Sequence, residues 1–216
     1  MIKSTKYHVF RFIEFNNRVR IISDYCGGEL LYDYVNRKDI NKTQIYGLIR
    51  GLVSALDNYR EAAENCTYGS VNPYNVLITK EGEVFLLDMN EKSNDFVDKK
   101  MQSNLMRQNF DRAYNKVCVE SKVADDIFTF AVTVGYIMAT VSERLKFSMF
   151  EQKKLMKVVS RCIGERRKVY IDFEFIKRDL KICIDEDYRR VQKKTTAVIT
   201  IFILLLVILS FVLASF

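Results

Sequence analysis

The stretch YGSVNPYNVLI, Tyr68 to Ile78, contains the one proline of the chain, Pro73. Proline fixes φ and removes an amide donor, so at this point the backbone must make a rigid turn between two asparagines. The apolar residues that close the stretch read as a short strand. Glu83–Met89 (EVFLLDM) reads as a second strand, and Thr79-Lys80-Glu81-Gly82 reads as the turn between them. Asn75 and Asp88 then lie at the two polar margins of this strand pair.

Upstream, Tyr7–Phe15 and Arg18–Tyr25 are rich in β-branched and aromatic residues and are separated by Asn16-Asn17, the signature of a hairpin. Gly27-Gly28 reads as a turn, and an apolar pattern of helical spacing follows it. Asn41–Ala63 places Ile45, Leu48, Ile49, Leu52, Val53, Leu56 and Tyr59 on one stripe, which predicts an amphipathic helix. Ser93–Lys122 is polar with scattered apolar positions. Asp125–Thr140 is almost wholly apolar after an acidic start, and its length fits a buried helix rather than a membrane span. Val71, Val76, Leu77 and the Phe128–Met138 stripe are the expected core. Amphipathic helices are expected over Phe150–Ile163 and Asp172–Ile184, with no internal repeat and no low-complexity linker.

Of the 216 residues 28% are charged and 49% hydrophobic, which is the balance of a globular chain. The formal net charge of +7 is compatible with nucleic acid or with an anionic membrane surface. Its densest cluster, Arg189, Arg190, Lys193 and Lys194, favours the membrane, because Thr195–Phe216 follows without a charge, a glycine or a proline. About twenty residues at 1.5 Å each cover a hydrocarbon core of roughly 30 Å. Basic residues ahead of such a span place the preceding domain in the cytoplasm. The expectation is a single-pass, tail-anchored protein of the cell membrane. Five widely spaced cysteines with no CxxC pair read as reduced, buried thiols, and the single histidine, His8, has no partner for a metal site or a Ser/His/Asp arrangement. The usage of Ile, Lys, Asn and Tyr points to an AT-rich bacterial genome.

Four motifs in order resemble a protein kinase entered partway through. DYCGGELLYDYV (Asp24–Val35) is similar to the kinase hinge and the helix after it. YGSVNPYNVLI resembles the catalytic loop H-R-D-L-K-P-x-N, LLDMN (Leu86–Asn90) resembles the D-F-G turn, and DIFTFAVTVGYIMAT (Asp126–Thr140) resembles the buried helix that begins D-x-W-S-x-G. The resemblance implies an α+β, kinase-like fold in four segments. Residues 1–25 would be an N-lobe remnant hairpin and 26–185 a mainly helical C-lobe. A basic juxtamembrane segment, 186–194, and the transmembrane helix, 195–216, would complete the chain.

Matched residue by residue, the resemblance implies a degenerate site. Tyr68 and Gly69 stand at the loop histidine and arginine. Ser70 replaces the aspartate that accepts the substrate proton, and Asn72 replaces the lysine that steadies the transferring phosphate. Asn75 and Asp88 match the two magnesium ligands, and Asn90 replaces the D-F-G glycine. On the residues alone, Asn75 and Asp88 serve equally well as turn-formers and caps. Asp24, Cys26 and Leu77 would line the hinge and the pocket floor if a nucleotide bound. Asp126 would brace the catalytic loop or cap its own helix, and Arg166 and Arg167 fall near the family's late buried arginine. No G-x-G-x-x-G precedes the hinge. A serine hydroxyl is not basic at neutral pH, so the resemblance implies no catalytic residue and no cofactor beyond weak Mg-ATP.

The function these readings favour is a membrane-tethered pseudokinase, a docking or regulatory scaffold for a protein partner at the cytoplasmic face. One alternative is an atypical Mg-ATP kinase with an unrecognised base. Another is a component of a type VII-like secretion machinery, since the EssB/YukC family has a similar plan of kinase-like domain then one span. That plan continues into an extracytoplasmic domain, which is not expected here. Nucleic acid is not an expected partner, because the chain has neither a motif nor a basic-aromatic stripe for it.

Overall fold

The computed structural model describes residues 9–15, 18–23, 27–63, 66–69, 71–88, 94 and 123–181, with the backbone alone over 12–15 and 18–23. His8, Asp24, Cys26, Ser70, Asn90, most of Ser93–Lys122 and the juxtamembrane and apolar segments expected over 186–216 lie outside the described residues. The chain divides into two compact units, Met1–Leu180 and Lys181–Phe216, and nearly everything described belongs to the first.

That unit is α+β. Strand β1 (Val9–Phe15) pairs antiparallel with β2 (Arg18–Ser23) in a register that closes at Phe15–Arg18, the hairpin expected around Asn16-Asn17. Strand β3 (Gly28–Leu30) leads without a break into helix α1 (Leu31–Asn36). Helix α2 (Lys42–Ala62) follows, and then the hairpin of β4 (Val76–Thr79) and β5 (Val84–Leu87). These strands form one sheet in the order β2-β1-β5-β4-β3. After the sheet come α3 (Ala124–Val141) and α4 (Met149–Cys162), and residues 173–181 are helical as well.

Two features of the sheet differ from expectation. The Gly27-Gly28 region is a strand, not only a turn. A Cβ on Gly28 would lie 2.7 Å from the Ile78 carbonyl oxygen and 3.0 Å from Leu77 Cγ, so only glycine lets β3 lie this close to β4. The N-terminal hairpin is also not set apart: β1 runs parallel to β5, pairing Val9 with Leu86 and Phe10 with Leu87. Phe10 is buried in one cluster with Leu30, Leu77, Phe85 and Leu87.

The helices form where periodicity placed them. Helix α2 opens with a reciprocal capping box, the Asn41 side chain accepting from the Gln44 amide and the Gln44 side chain accepting from the Asn41 amide. All seven residues of its expected stripe are buried. Helix α4 repeats the device with Ser148 and Glu151. Helix α3 is the one described helix long and apolar enough to cross a membrane, yet 67% of its apolar window is buried within the fold. A surrounded helix of this kind belongs to a protein core. Val71, Val76, Leu77, Phe128, Phe130, Val134, Ile137 and Met138 are all buried, as expected of the core.

Candidate functional site

The loop 66–75 is tied down by polar groups from α3 and by its own asparagines. Pro73 bends the chain, and its carbonyl accepts from the Tyr32 amide at 2.9 Å, which fastens the loop to the start of α1. The Tyr32 and Tyr74 rings stack beside this bond, 5.0 Å between centroids.

Asp126 braces the loop and does not cap its own helix, whose N-cap is Val123 and which has no side-chain cap hydrogen bond. Its Oδ2 accepts from the Tyr68 amide at 2.8 Å and its Oδ1 from the Gly69 amide at 2.6 Å. One turn further along α3, the Thr129 hydroxyl accepts from the Val71 amide at 3.3 Å, and the Thr133 hydroxyl donates to the Val71 carbonyl at 3.1 Å. Three side chains at successive turns of α3 thus hold three residues of the loop. Gly69 has φ +95°, a conformation that side-chain-bearing residues rarely adopt, which accounts for glycine where the kinase motif has arginine. Burial pushes the Asp126 carboxyl above its ordinary pKa and Asp125 adds to this, while the Gly69 and Tyr68 amides pull it back. Its side chain is wholly buried, so the two amides are what make its charge tolerable.

Asn72 and Asn75 face inward. The Asn72 side chain accepts from the Tyr74 amide at 2.8 Å, and the Asn75 side chain accepts from the Asn72 amide at 2.8 Å. Both residues are almost completely buried. The position that the resemblance matches to the kinase loop lysine holds a short amide folded into the turn. Tyr68, at the motif's histidine position, donates from its hydroxyl to the Leu87 carbonyl at 3.0 Å and lies at 3.5 Å from that of Asn75.

The fold brings Asn75 and Asp88 to the same end of the β4–β5 hairpin, where the Leu87 amide donates to the Asn75 carbonyl at 3.0 Å. Asp88 sits one residue beyond β5, its amide donating to the Phe10 carbonyl at 2.9 Å. Its Oδ2 receives the Arg11 guanidinium, at 2.9 Å from Nε and 2.8 Å from the nearer terminal nitrogen. Asn94, fully buried, donates to the Asp88 carbonyl at 2.9 Å. Each candidate magnesium ligand has one oxygen engaged within the protein, Asn75 Oδ1 by the Asn72 amide and Asp88 Oδ2 by the Arg11 guanidinium.

Of the residues expected to line a nucleotide pocket, Asp24 and Cys26 lie outside the described residues. Leu77 is buried in the sheet's core cluster beneath Gly28. A cavity of about 220 Å³ beside Gly27-Gly28 is lined by Gly27, Gly28, Glu29, Tyr34, Arg37, Ile78, Thr79 and Lys80. Arg166 and Arg167 are exposed, not buried as expected. A part-buried ion-pair network lies elsewhere: Asp57 accepts from Arg60 at 2.9 Å and from Lys177 at 2.5 Å, and Arg60 reaches Asp172 at 3.1 Å. Sequence reasoning missed Arg11 and Asn94 as neighbours of Asp88. Neither carries a local signal, because their positions depend on β1 joining β5 and on the chain's return beyond the hairpin.

No protein-family model matches the chain, and no curated protein is significantly similar to it.

Proposed function

We propose that this chain is a catalytically inactive, kinase-like domain that works by binding a protein partner at the cytoplasmic face of a membrane. The observation that supports this best is the use to which the candidate site residues are put. Asn72 and Asn75 satisfy the loop backbone, Asp88 takes the Arg11 guanidinium, and Asp126 holds the Tyr68 and Gly69 amides. Asn72, Asn75 and Asp126 are engaged in holding the loop, and Asp88 is engaged with β1 at the end of β5. The serine at position 70 supplies no base, and the 216 residues contain no G-x-G-x-x-G to cover a triphosphate. A loop braced by an aspartate from a buried helix is the arrangement the kinase resemblance implies, and this geometry favours a kept scaffold over a kept reaction.

Membrane attachment rests on the sequence of Thr195–Phe216 and on the basic residues before it. The test of the binding reading is a melting curve of the full chain in detergent, with and without ATP and magnesium. A ligand present at a hundred times its Kd stabilises by about 2.7 kcal/mol, an effect easily read as a shift in Tm. We expect no shift. A shift of several degrees that disappears in Asp88→Ala would favour an Mg-ATP enzyme instead.

A further inference from the structure

Beyond the C-terminus of α4 the chain turns back over the helix end and makes a cavity of about 460 Å³. Its lining residues are Lys157, Arg161, Arg166, Arg167 and Lys168, every one a cation. We propose that this cavity is a binding site for a compact phosphorylated ligand. The inference does not rest on the kinase-like reading of the loop.

The floor of the cavity is built, and its rim is left open. Arg161 donates through Nε to the Lys168 carbonyl at 2.9 Å and through Nη1 to the Tyr170 hydroxyl at 3.1 Å, and it also pairs with Asp179. Its guanidinium lies 4.0 Å from the centre of the Tyr170 ring. Tyr170 in turn donates to Asp179 at 2.7 Å. Burial pushes the Tyr170 hydroxyl far above its ordinary pKa, with Asp179 adding to the effect, so it remains a donor. Arg161 therefore fixes the returning loop at Lys168. The Glu165 amide, donating to the Ser160 carbonyl at 3.0 Å, fixes its other end. Between these two ties lie Arg166 and Arg167.

Among the described residues no carboxylate pairs with Lys157, Arg166, Arg167 or Lys168, and all four are exposed. Four solvated cations held around one concavity repel one another within a Debye length of about 8 Å. A bound polyanion would relieve that repulsion. Guanidinium forks match phosphate oxygens two at a time, whereas a single carboxylate would satisfy only one fork. The volume lies within the range of about 300–1,000 Å³ usual for small-ligand sites. Single-stranded nucleic acid would need exposed aromatic faces, and Tyr170, the aromatic at this cluster, is buried beneath Arg161.

The probe is inorganic pyrophosphate, titrated calorimetrically into the full chain in zwitterionic micelles. We expect saturable binding that weakens with added salt. Binding should fall at least tenfold in R166Q/R167Q and stay within twofold in K38Q/K146Q, which loses the same charge from exposed lysines elsewhere. R166K/R167K, which keeps the charge but not the forks, should fall between them; it also serves as the reading if the glutamine variant melts early. Doping the micelles with phosphatidylglycerol separates the sources. A weaker apparent pyrophosphate affinity identifies a lipid headgroup as the ligand, an unchanged one identifies a soluble phosphoester, and either leaves the site standing. Absence of binding by the unaltered chain would overturn the proposal. So would equal weakening in the two glutamine variants, or tighter binding of a single-stranded oligonucleotide than of pyrophosphate.

Discussion

Replacing Asp126 with alanine removes both acceptors from the Tyr68 and Gly69 amides and leaves those donors facing a buried space. Each unsatisfied buried donor costs about 1–3 kcal/mol. Relief of the carboxylate's own desolvation offsets some of this, so Asp126→Ala should destabilise the fold by about 2–4 kcal/mol. Asp126→Asn keeps one acceptor and should fall between. Thermal melting measures the loss, and hydrogen exchange at the Tyr68 and Gly69 amides should quicken with it. An alanine variant that melts with the unaltered protein would show that the brace is not needed. At this scale the sequence was partly legible. Pro73, Asn75, Asp88 and Asp126 could all be picked out, because turn and cap chemistry is local. The side-chain partner of Asp88 could not. Arg11 meets Asp88 across 77 positions of chain, and nothing near either residue announces the pair.

Helices α2 and α4 are cross-linked near their N-termini, where Lys42 Nζ donates to both Glu151 oxygens at 3.0 and 2.9 Å. Burial alone would raise the Glu151 pKa. The hydrogen bonds from Lys42 and from the Ser148 amide outweigh it and hold the group below its ordinary 4.5. A carboxyl whose pKa is depressed by folding stabilises the fold above its unfolded value and loses that contribution as pH falls through its folded value. Stability from this pair should therefore be whole at pH 6 and decline progressively below about 4.5. Lys42 is partly exposed, so the contribution is about 1 kcal/mol. Lys42→Met should flatten this acid limb in pH-dependent melting, and an unchanged limb would exclude the pair as its cause. The helices were the most legible elements, since the 3.6-residue stripe lies within a few turns of sequence. The sheet was less so. Strand β3 is only Gly28–Leu30, too short to show alternation, and the parallel pairing of β1 with β5 depends on contacts between distant segments.

For the molecule as a whole, the α+β class was legible from the order of elements, and the buried character of α3 from its length. The shape of the candidate site was not, because it depends on Asp126 reaching the distant Tyr68 and Gly69 amides and on a guanidinium from β1. Membrane attachment belongs to this scale too. Truncation after Lys194 should release the protein into the soluble fraction, whereas the intact chain should require detergent. Intact chain that stays in the supernatant after high-speed centrifugation without detergent would contradict the anchor. The central claim is that the kinase-like loop is kept for its shape and not for phosphoryl transfer. Restoring Ser70→Asp and Asn72→Lys together should not create activity, because the triphosphate must also be held, and a misplacement of about 1 Å can cost about a hundredfold in rate. The most direct measurement is transfer of radiolabelled phosphate from ATP, with magnesium, to the full chain and to generic protein substrates. The account predicts no label above background on the unaltered protein or on the double variant. Label on the unaltered chain that vanishes in Asp88→Ala would contradict it, and would mean that an unrecognised base serves a working site.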